Sequence, residues 1–99
     1  MPYSFIRDVP FNEEQYARIR AELGEQTPKG LIAHLAIRRE AGLRYIDVRD
    51  TAADWERFRD ARVVPAVQKM MSTYGLPQPS GPLPVEIIEV IDAMVGQAG

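Results

Sequence analysis

Ninety-nine residues with 45% apolar content describe one folded domain spanning 1–99 and argue against a disordered chain. Fourteen acidic residues against twelve basic ones leave a formal charge of −2, without the basic excess of a nucleic-acid binder. The chain has no cysteine, which removes disulfides, thiolate metal ligands, iron–sulfur clusters and a thiol nucleophile. The start, MPYSFIRDV, lacks the basic and long apolar regions of a secretory signal, and no apolar run approaches the ~20 residues that span a bilayer. A cytoplasmic protein with neither nucleic-acid nor membrane partners is the expectation.

Tyr3 to Val9 alternates as a strand, with Tyr3, Phe5 and Val9 on one side and Ile6 on the other; Pro10 stops it. Asn12 with Gln15 three residues later forms a capping box, and Glu13 and Glu14 occupy the first turn, where the helix dipole favours acids. Tyr16, Ile19 and Leu23 follow at helical spacing, and Gly24 closes the helix. EQTPKG, residues 25–30, is a loop.

From Gly30 to Asp50 the chain reads as two strands joined by a turn at 39–42. Ala33, Leu35, Ile37, Ile46 and Val48 form one apolar face. Ile32, His34, Ala36, Arg38, Leu43, Tyr45, Asp47 and Arg49 form a mixed face. The turn sets residue 38 opposite 43, and therefore His34 opposite Asp47.

Asp50 or Thr51 caps a second helix in which Trp55 and Phe58 give the apolar stripe amid a solvated charge run at 54–60. Pro65 removes a helical donor, so a kink or a fresh start is expected there. Val67, Met70, Met71 and Tyr74 then repeat at core spacing. Residues 75–84, GLPQPSGPLP, form an extended connector placed to cover a sheet edge or a pocket mouth. VEIIEVID is a last strand, and the tail Ala93 to Gly99 is expected to fray.

Strand, helix, strand, strand, helix, strand is the ferredoxin-like βαββαβ order: an α+β fold with a four-stranded antiparallel sheet and two helices on one face. The other face then needs cover. Placing the mixed face there, with Ile32, Leu43 and Tyr45 uncovered, implies a homodimer of two sheets packed face to face. The competing register would put Asp47 and Arg49 under the helices, where charges are costly.

Three segments carry a family resemblance: Pro28-Lys29-Gly30-Leu31-Ile32-Ala33-His34, Tyr45-Ile46-Asp47-Val48-Arg49-Asp50, and Trp55-Glu56-Arg57-Phe58 through Val64-Pro65-Ala66. The chain resembles the dimeric α+β barrel superfamily, and within it the small antibiotic-biosynthesis-monooxygenase-like proteins. Relatives often carry Trp where this chain has Arg49. The resemblance implies oxidation of a phenolic or polyketide-like compound with no cofactor, in which the substrate supplies the electrons. It does not fix a reaction, because the superfamily hosts many.

His34 with Asp47 is the candidate catalytic pair, the carboxylate orienting the ring and stabilising imidazolium. Tyr45, Arg49 and Arg38 are the candidate substrate-binding groups, through the phenol and the bidentate guanidinium fork. Each also has a bland reading: a cross-strand structural histidine, an internal ion pair, a tyrosine that fills an interface. No metal-ligand spacing accompanies the single histidine, and haem handling would rest on His34 alone. The alternative function is a non-catalytic ligand-binding or structural homodimer. A closed cavity reaching His34 distinguishes the first reading from the second.

Overall fold

The structure, a computed structural model, describes residues 2–77 and 84–96. Strand β1 spans Tyr3–Val9, helix α1 Glu13–Leu23, β2 Leu31–Arg39 and β3 Gly42–Arg49. Helix α2 spans Ala52–Phe58, a π-helical turn Arg59–Val63, helix α3 Val64–Thr73, and β4 Glu86–Ile88. The strands form one antiparallel sheet in the order β2-β3-β1-β4, which with the helices is the ferredoxin-like arrangement.

The local signals produce the elements expected of them. Asn12 accepts from the Gln15 backbone while the Gln15 side chain accepts from the Asn12 backbone, so the capping box closes α1 at its start. Thr51, not Asp50, caps α2, its hydroxyl accepting from the Asp54 backbone. The β2–β3 turn pairs Arg39 with Gly42 and Arg38 with Leu43, and so His34 with Asp47. Gly42 has φ of +132°, and a Cβ there would lie 2.1 Å from the Val9 carbonyl oxygen, so only glycine lets β3 enter beside the end of β1.

Pro65 lies in the first turn of α3 and leaves the helical path unbroken. The π turn before it widens the backbone, with Val64 N–H reaching the Arg59 carbonyl. Two apolar clusters fill the layer between helices and sheet: Val9, Phe11, Ile19, Leu43, Tyr45, Ala66, Met70 and Met71 in one, Phe5, Trp55 and Val63 in the other. These burials, with Phe5 and Met70 fully enclosed, are the main hydrophobic contribution to stability.

Two expectations need correction. The helices lie on the mixed face of the hairpin, because Leu43, Tyr45, Asp47 and Arg49 are buried beneath them, and Tyr16 of α1 reaches His34. Ile32 leaves the alternation at a bulge between Leu31 and Ala33. The uncovered face is the other one, where Leu35 and Ile37 are 55% and 42% exposed. The last strand is also shorter than VEIIEVID: only Glu86–Ile88 pairs, with β1, and Ile91 is fully exposed. Residues 78–83 of the connector and 97–99 of the tail lie outside the described residues.

Candidate functional site

β2 and β3 are in register at His34 and Asp47, and both side chains point towards α1. His34 Nδ1 lies 2.8 Å from Asp47 Oδ1, and its Nε2 lies 2.9 Å from the Tyr16 hydroxyl. An ionised carboxylate only accepts, so Nδ1 carries the proton and Nε2 presents its lone pair to the Tyr16 O–H. Tyr45 leans against the imidazole at 5.3 Å between ring centres, and Tyr16 against Tyr45 at 5.5 Å.

The second carboxylate oxygen of Asp47 accepts twice from Arg49, from Nε at 3.0 Å and from the terminal Nη2 at 2.7 Å. The Arg49 guanidinium lies 4.7 Å from the Trp55 ring centre and 5.5 Å from that of Phe58. Burial alone would raise the Asp47 carboxyl. The hydrogen bond from His34, then the hydrogen bonds and charge of Arg49, outweigh it and hold the group below its ordinary value. Burial raises the Tyr16 and Tyr45 phenols, so both stay protonated and Tyr16 remains a donor.

The candidate residues thus divide. His34, Asp47, Tyr45 and Arg49 come together between sheet and helices. Arg38 does not join them: it is exposed at the far end of β2 and pairs with Glu13. Two members of the group were not among the sequence candidates. Tyr16 belongs to the apolar stripe of α1, and its hydroxyl carries no periodic signal. Arg7 interrupts the Tyr3, Phe5, Val9 face, and that interruption is legible in the sequence. Its guanidinium lies 5.4 Å from the centre of Tyr45 and 5.7 Å from that of Trp55.

The His34 side chain keeps 24% of its surface exposed, whereas Asp47 and Arg49 are almost fully covered. Two hollows, of about 320 and about 170 Å3, lie elsewhere. The larger sits beside β4 against Ile6, Asp8 and Arg44, and the smaller lies between Glu22 and the α2–α3 junction. Chemically, the arrangement is an oriented base with a phenol at its free nitrogen.

No model of a known protein family matches the chain, and no curated protein matches its sequence. Among solved structures it is similar to the NE2512 protein of unknown function from Nitrosomonas europaea. The TM-score is 0.58 at 16% identity, covering 99% of this chain and 98% of that one. That likeness is one of fold. No helix among the described residues is long and apolar enough to cross a membrane.

Proposed function

We propose that the protein is a homodimeric α+β barrel whose subunits each take a proton from a phenolic or enolic small molecule at His34. The supporting observation is the His34 ring held between the buried carboxylate of Asp47 at 2.8 Å and a phenol oxygen at 2.9 Å. A ligand hydroxyl that replaces the Tyr16 hydroxyl meets the same lone pair. Asp47 then stabilises the imidazolium, Arg49 keeps Asp47 ionised, and Tyr45 walls the ring. Arg38 has no part at this distance.

The finer reading is cofactor-independent oxidation, in line with the resemblance to monooxygenase-like barrel proteins. For an anthrone the balance closes without another reductant. The ring CH2 gives a proton to His34, the enolate carbon bonds to O2, and loss of the remaining C–H hydrogen as the O–O bond breaks leaves one oxygen as the new carbonyl while the other, with that hydrogen and the proton returned from His34, leaves as water. Oxygen uptake with anthrone tests it: wild type is expected to accelerate uptake and His34→Gln to lose the acceleration. Equal rates in the two proteins would refute the oxidative reading.

Pairing through the open sheet face is supported by Ala33, Leu35, Ile37, Ile6, Ile46 and Ile88, an apolar surface that helices do not cover. A second reading, a structural homodimer without chemistry, is favoured by two observations: both His34 nitrogens already have protein partners, and neither of the two hollows reaches His34. Retention of fold and dimer in His34→Gln, with no small phenol bound by wild type, would select it.

A further inference from the structure

The polar layer beneath the helices holds more positive charge than it neutralises. Arg49 is paired with Asp47, and Arg59 with Asp60. Arg7 has no carboxylate within salt-bridge distance among the described residues, and its buried Nε has no hydrogen-bond partner. Nη1 of Arg49, itself 4% exposed, is also without one. Two guanidinium groups therefore face one carboxylate, which leaves one surplus positive charge close to Trp55 and Tyr45. Stacking on aromatic rings offsets only part of the cost of burying a cation. Burial accordingly weakens the hold of Arg7 on its proton, while Asp47 strengthens it and Arg49 and Arg59 weaken it further.

A guanidinium with an unpartnered donor, packed against aromatic rings, suits a planar anion that brings one negative charge and apolar surface. A carboxylate on an aromatic or otherwise apolar skeleton has both, and it engages the Arg fork through two parallel hydrogen bonds. The sheet edge at β4 is open on this face. Ile87 lies on the same face as Phe5 yet is 58% exposed, because the helices do not extend over this edge. From these observations we infer that Arg7 anchors a binding site for a small aromatic carboxylate, walled by Trp55 and Tyr45. The site stands whether or not His34 takes a proton.

Trp55 is the single tryptophan, so its fluorescence reports the site directly. Benzoate is the probe, and inorganic phosphate the comparison anion. Benzoate is expected to change Trp55 emission saturably and to raise the melting temperature of wild type. Arg7→Met should lose both responses and, without benzoate, melt no lower than wild type, because it removes a half-buried charge that no carboxylate pairs. His34→Gln should keep the benzoate response, which separates this site from the proton-taking reading. Should Arg7→Met not fold, Arg7→Lys retains the charge without the fork and is expected to bind benzoate about tenfold more weakly. No saturable response in wild type, an undiminished response in the Arg7 variant, or a stronger response to phosphate than to benzoate would overturn the inference.

Discussion

Asp47→Ala should be among the most damaging single substitutions in this chain. The carboxylate is 2% exposed, and it accepts from His34 through one oxygen and twice from Arg49 through the other. Its removal leaves the Arg49 guanidinium enclosed beneath α2 with no counter-charge and takes away the group that orients His34. Breaking a buried ion pair from one side costs about 3–5 kcal/mol. A domain of this size holds only about 5–15 kcal/mol in total. The melting temperature should fall by at least about 12 °C, taking roughly 4 °C per kcal/mol as the lower bound for a domain of this length. Urea unfolding at fixed protein concentration measures the loss and keeps any contribution from association constant. The double variant Asp47→Ala/Arg49→Met replaces the orphaned cation by an apolar chain that still packs on Trp55, and it should recover part of the loss. A cost below about 1 kcal/mol for Asp47→Ala, or a double variant as unstable as the sum of the two singles, would refute the claim that the pair is a coupled, buried unit.

Other expectations follow from the same geometry. The folded Asp47 carboxyl lies below its unfolded value of about 3.9, so its stabilisation is complete above that pH and is lost as pH falls through the folded value; Asp47→Asn should flatten this acid limb in a pH series of urea midpoints. Tyr16→Phe removes the donor to His34 Nε2 and should cost about 1 kcal/mol by urea unfolding, while strengthening phenol binding about fivefold because the lone pair is already free. Leu35→Glu places a charge on the open sheet face; if the proposed pairing holds, light scattering should show a dimer for wild type and a monomer for the variant, and a wild type already monomeric at micromolar concentration would refute the pairing. Asn12→Ala breaks the capping box of α1 and should lower stability by about 1 kcal/mol without altering association.

The hairpin shows what alternation encodes and what it omits. The turn at 39–42 sets the register outright, so the pairing of His34 with Asp47 is legible in the sequence. Which face the helices cover is not, because both faces carry apolar residues and period two is symmetric between them. The cost of burying charge favoured leaving Asp47 and Arg49 uncovered, yet in the fold each offsets much of that cost for the other, and Trp55 stacks on the guanidinium. Proline at 65 and caps at Asn12 and Thr51 are strictly local signals, and the elements follow them. Tyr16 escaped because joining it to His34 requires knowing the covered face. Arg7 was visible as the charged break in the Tyr3, Phe5, Val9 face, and its meaning emerges only with Trp55 and Tyr45 placed around it.

The central claim is that His34, oriented by Asp47, accepts a proton from a phenol. 4-Nitrophenol tests it directly, because loss of its proton turns it yellow. In mildly acidic buffer, where the free compound is mostly protonated, saturating wild-type protein should generate the yellow phenolate in proportion to the amount bound. His34→Gln, with fold and association intact, should generate none. Binding without colour, no binding at all, or equal colour with His34→Gln would contradict the account.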